Sequence, residues 1–82
     1  MNIEFTDHDI EHDKGLVRFP VAIDGEIQYF GIPEAHIRHL HVRDEGILAK
    51  ATRLRKELEA IIAHKIQAGD FRAVRDKRYI FL

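Results

Sequence analysis

Residues 16–32 read Leu16-Val17-Arg18-Phe19-Pro20-Val21-Ala22-Ile23-Asp24-Gly25-Glu26-Ile27-Gln28-Tyr29-Phe30-Gly31-Ile32. Two runs rich in β-branched and aromatic side chains flank Asp24-Gly25, a strong short-range signal for a β-hairpin. The turn sets the register. A two-residue loop puts Ile23 opposite Glu26 and Val21 opposite Gln28, mixing apolar and polar groups on one face. A three-residue loop, Ile23-Asp24-Gly25, pairs Ala22 with Glu26, Val21 with Ile27 and Phe19 with Tyr29. Arg18, Pro20, Gln28 and Phe30 then share the other face. The cleaner separation predicts the bulged, three-residue turn. Pro20 has no N–H to donate, so its strand is predicted to be a sheet edge or bulged there.

Upstream, Ile3 and Phe5 alternate with polar neighbours and predict a short strand. Asp7 to Gly15 is polar and turn-rich and reads as a surface loop. Downstream, Pro33-Glu34 opens a helix of about two turns, reaching roughly Val42. Asp44 is placed to cap the next helix. Residues 45–68 are the most periodic segment: Ile47, Ala51, Leu54, Leu58, Ile61 and Ile62 fall on one face. Gly69 suits the position just past the helix end. Arg78 to Leu82 reads as a final strand. The expected fold is therefore α+β: a small antiparallel sheet of N-terminal strand, hairpin and C-terminal strand, covered by a short and a long helix.

The chain has 82 residues, which bounds it to a single domain, residues 1–82. A composition of 45% hydrophobic and 33% charged residues is that of a globular chain. Cysteine is absent, which excludes disulfides, thiolate nucleophiles and sulfur-ligated zinc. Serine is absent too, and threonine occurs only at Thr6 and Thr52, so hydroxyl-nucleophile chemistry has little to work with. No secretory leader or membrane-spanning run is legible, and the cytoplasm is the expected compartment.

The segments Ile3-x-Phe5, Gly15 to Gly25, Ile32-Pro33-Glu34-Ala35 and the Ala63-x-Lys65-Ile66-x-x-Gly69 helix ending resemble domain-of-unknown-function family 1488, a set of small bacterial proteins. The resemblance spans nearly the whole chain. It implies an α+β fold and brings no activity, cofactor or catalytic residue with it.

Charge is unevenly spread. Residues 1–37 hold two basic and eight acidic groups; residues 38–82 hold eleven basic and six acidic groups. The positive half is a candidate nucleic-acid surface through Arg53, Lys56, Arg72, Arg75, Lys77 and Arg78, with Tyr79 or Phe81 as a stacking ring. Acidic neighbours interrupt it, and a charged helix face is most often simply solvated. Six histidines suggest a metal shell: His8 and His12 lie four apart among Asp7, Asp9 and Asp13, while His36 and His39 lie three apart. Neither spacing is a recognised metal motif, so exposed histidines are the plainer reading. The apolar stripe of the long helix, or the strand edge at Pro20, offers routes to a homodimer, though the stripe also suits a helix packed on its own sheet. No pair of acids and bases forms a catalytic constellation, and no cofactor is implied. The expectation is a non-enzymatic protein-interaction or regulatory module, with nucleic-acid binding second and histidine metal binding third.

Overall fold

A computed structural model describes residues 1–40 and 45–82. The elements run β1 (Ile3–Phe5), β2 (Glu11–Asp13), β3 (Leu16–Ile23), β4 (Glu26–Pro33), α1 (Glu34–Arg38), α2 (Ile47–Arg53), α3 (Arg55–Gln67), β5 (Arg72–Val74) and β6 (Lys77–Tyr79). The six strands form one sheet ordered β1-β3-β4-β6-β5, with β2 also paired to β3. The α+β class is as expected, but the sheet is mixed: β6 joins β4 in parallel, Phe30 opposite Arg78 and Gly31 opposite Tyr79. It gets there because β5 starts level with Gly31, near the end of β4, and runs antiparallel to it, so the β5–β6 hairpin turns β6 into the direction of β4.

The hairpin turn is the two-residue one. Asp24 and Gly25 both have positive φ, 51° and 86°, as a type I′ turn requires and as Asp-Gly readily supplies. Ile23 therefore faces Glu26, Val21 faces Gln28, and Phe19 faces Phe30. This corrects the three-residue loop. A one-residue slip reverses every side chain of β4: Phe30 and Ile32 point into the core and Tyr29 points out. The mixed pair Val21–Gln28 lies near the turn, where a half-buried Gln28 is tolerated.

Pro20 behaves as its chemistry demands. β1 ends at Phe5, opposite Val21, and β2 begins at Glu11, opposite Arg18. Neither covers Pro20, so the ladder asks nothing of its missing donor. The segment read as a loop contains β2, which turns into β3 through Lys14 and Gly15 at φ 49° and 77°.

Pro33 closes β4 and precedes α1, which is shorter than expected. Asp44, the expected cap, lies outside the described residues, as does Val42; the residue at the N-cap of α2 is Gly46. The long helix is broken at Leu54, where φ −96° and ψ 12° depart from helical values. Thr52 Oγ1 donates to the Leu48 carbonyl oxygen at 2.8 Å, a back-bond that bends helices. The end of α3 matches expectation: Gly69 has φ 70°, its N–H meets Ile66 O, and Asp70 N–H meets Lys65 O, a Schellman closure.

The core is one cluster. Val17, Phe19, Val21, Phe30, Ile32 and Ile80 from the sheet side meet Ile37, Ile47, Ala51, Leu54, Leu58, Ile62 and Ile66. The helices thus lie on one face of the sheet. Their apolar stripe is spent inside the chain, while the edge of β3 at Pro20 lies in the gap between β1 and β2. No helix of the described residues is long and apolar enough to cross a membrane.

Candidate interaction surface on the uncovered sheet face

Strand side chains alternate, so the residues between the core positions face away from the helices. Register places five of them in one row across five strands. Glu11 faces Arg18, Arg18 faces Gly31, Gly31 faces Tyr79, and Tyr79 faces Arg72. Three strand spacings separate Arg18 from Arg72, about 14 Å. Beside this row lie the pairs Pro20–Tyr29 and Val74–Lys77.

Pro20 and Gly31 form a buried floor; Leu16, Arg18, Tyr29 and Tyr79 are half-buried around it. A Cβ on Gly31 would sit 3.5 Å from Leu16 Cδ1, so the notch there is shallow. Ile27 is 43% exposed and Val74 49%. The Arg18 guanidinium lies 5.5 Å from the Tyr29 ring centroid, and that of Arg72 lies 5.9 Å from Phe81, both within cation–π range. Val74, Arg75, Asp76, Lys77 and Tyr79 line a shallow cavity of about 390 Å³.

The six cations expected to bind nucleic acid divide into two groups. Arg72, Arg75, Lys77 and Arg78 come together on the β5–β6 hairpin. No ion pair among the described residues engages any of the four. Arg53 is elsewhere, with its Nε 3.1 Å from Glu45 Oε1; that bond raises its pKa further. Lys56 is exposed on α3, on the helix side. The pairing is systematic: Arg18 meets Glu11, Arg38 meets Glu34, Arg55 meets Glu59 and Lys65 meets Asp70. From Phe71 to Leu82, four cations stand against one carboxylate, Asp76.

The four histidines expected to hold a metal do not converge. His8 Nδ1 is 2.9 Å from Thr6 Oγ1. His12 Nε2 is 2.8 Å from Glu34 Oε2. His36 Nδ1 accepts the Leu82 N–H at 3.1 Å. His39 is exposed at the end of α1. Among the described residues, no three His, Asp or Glu groups are arranged to hold a metal ion. His41 and Arg43 lie outside the described residues.

Tyr79 and Phe81 were legible as stacking rings, whereas Tyr29, Arg18, Ile27 and Val74 were missed. The two-residue turn was the available signal: it puts Tyr29 and Ile27 on the side of Arg18 and Pro20. A family model described as "Protein of unknown function (DUF1488)" matches residues 3–76 of the chain. A search found no curated protein and no solved structure that matches it. The chain belongs to the DUF1488 family, a family of unknown function.

Proposed function

We propose that the chain is a non-enzymatic binding module of the bacterial cytoplasm, and that the uncovered face of its sheet docks a macromolecular partner. One observation carries this reading: exposed apolar groups, aromatic rings and unpaired cations gather on the same face. Ile27 and Val74 stand exposed beside Tyr29 and Tyr79, and the Arg72 guanidinium lies 5.9 Å from the Phe81 ring centroid. Exposed apolar area forgoes about 25 cal/mol per Å² of burial, and contiguous patches of it mark interaction sites. Both the protein partner and the nucleic acid expected from the sequence would use such a surface.

The test compares tagged variants in a lysate of the source cells. Ile27→Glu with Val74→Glu changes only exposed positions of the face; Leu48→Glu makes the same change on α2, where Leu48 is 43% exposed. The face variant is expected to lose the retained material and the helix variant to keep it. Equal retention by both would overturn the reading.

A further inference from the structure

We infer that the ligand of this face is single-stranded nucleic acid, its bases laid on Tyr79 and on the guanidinium that Arg18 stacks over Tyr29, and its phosphates met by Arg72, Lys77 and Arg75. The inference rests on the reading of the uncovered face as the binding surface and adds the partner's chemistry.

Charge decides the class of partner. In the described part of the chain, arginines outside the hairpin are held by carboxylates: Glu11, Glu34, Glu45 and Glu59. Those of the hairpin are not. Cations left unpaired at the edge of an apolar surface suit a ligand that brings its own negative charge. An apolar protein partner would gain nothing from them.

The rings decide between anionic ligands. Tyr79 and Tyr29 lie on adjacent strands; the strand partner of Tyr79 is Gly31, two residues beyond Tyr29. That is a diagonal relation, about 7–8 Å between residues. Gly31, between Arg18 and Tyr79 in the row, carries no side chain of its own, and the two Leu16 methyl groups lie 3.5 and 3.6 Å from where its Cβ would be. Base stacking on open aromatic faces beside a cationic edge is how sheets hold single strands. A duplex keeps its bases stacked on one another and offers those rings nothing. Lys77 shares this face with Tyr79, and Arg72 faces Tyr79 across the ladder. Arg75 stands at the hairpin tip with φ 58°. Phosphate contacts are thus available on the same side as the rings.

The test measures binding of labelled oligouridylate and oligothymidylate by fluorescence anisotropy. A matched duplex, polyphosphate and polyglutamate serve as competitors. Three to four neutralised phosphates predict a single-strand affinity that falls about 20- to 50-fold as salt rises from about 50 to about 200 mM. Arg72→Ala with Lys77→Ala, both exposed positions, weakens binding and reduces that fall to about three- to sevenfold. Tyr79→Phe keeps affinity; Tyr79→Ala loses about fivefold or more. Should Tyr79→Ala misfold, Tyr29→Ala, which removes the ring beneath the Arg18 guanidinium, reads the stacking contribution. The relative affinities of the uridylate and thymidylate arms identify RNA or DNA as the source. No single-strand binding at low salt overturns the inference, as does equally tight binding of duplex, polyphosphate or polyglutamate. If oligonucleotides fail while Ile27→Glu with Val74→Glu still loses its lysate material, nucleic acid is rejected and the docking face stands with a protein partner. If that variant retains its material, the docking face itself is rejected.

Discussion

The Nζ of Lys50 donates a 2.9 Å hydrogen bond to the carbonyl oxygen of Arg38. Lys50 is 3% exposed, and the bond ties α2 to the last turn of α1. A lysine ammonium at a helix C-terminus also complements the helix dipole. Lys50→Met keeps the packed stem and leaves the Arg38 carbonyl without this donor. We expect a loss of about 1–3 kcal/mol, read as a lower urea midpoint with an unchanged slope. An unchanged midpoint would show that water or another donor takes over.

Gly25→Ala tests the hairpin turn. Gly25 holds φ 86° with nothing near the position of a Cβ, so the cost is conformational, not steric. A left-handed alanine costs about 1–2 kcal/mol, which in a domain of this size lowers Tm by about 4–8 °C per kcal/mol. A melting curve identical to wild type would argue against a left-handed conformation at Gly25.

Leu58→Ala tests the single core. Leu58 is fully buried where α3 meets the sheet. Emptying it should cost about 2–5 kcal/mol, comparable to the whole stability of a small domain. Chemical denaturation of the variant should show little or no folded baseline. A cost below about 1 kcal/mol would mean that the helices do not close on the sheet as described.

Glu34 predicts an acid-sensitive joint. Its hydrogen bond from His12, then the one from Arg38, hold its carboxyl below the ordinary value of 4.5. Folding therefore favours the ionised form. The contribution is fully present above the ordinary value and is lost as pH falls through the depressed one. Replacing Glu34 with Gln should destabilise the chain near neutrality and make no difference at strongly acidic pH. Denaturation of both proteins across that range reads it; a gap that persists or widens in acid would refute the assignment.

What was legible in the sequence was local. The hairpin, the start of α1 after Pro33 and the stop at Gly69 each depend on residues within a few positions, and each was readable. The register was not, because one mixed pair near the turn, Val21–Gln28, counted for more in the sequence than it does at a half-exposed sheet end. β2 and β5 carry no apolar alternation; Glu11–Asp13 and Arg72–Val74 become strands because neighbouring strands offer partners. The break at Leu54 is hidden by an apolar stripe that runs through it. The candidate face depended on the most non-local facts of all: the parallel join of β6 to β4, and a pairing of charges that reaches from Arg53 to Glu45 but leaves Arg72 to Arg78 without carboxylate partners. Composition showed a positive half, and only the fold shows which cations in it are unpaired.

The central claim is that the uncovered sheet face is the docking surface. Its most direct test is the backbone amide spectrum of isotope-labelled protein in a lysate of its source cells. Docking on this face predicts signal loss concentrated in Arg18, Ile27–Gly31 and Arg72–Tyr79, with the exposed positions of α3, such as Lys56 and His64, unchanged. Signal loss confined to the helix layer, or no loss at all, would contradict it.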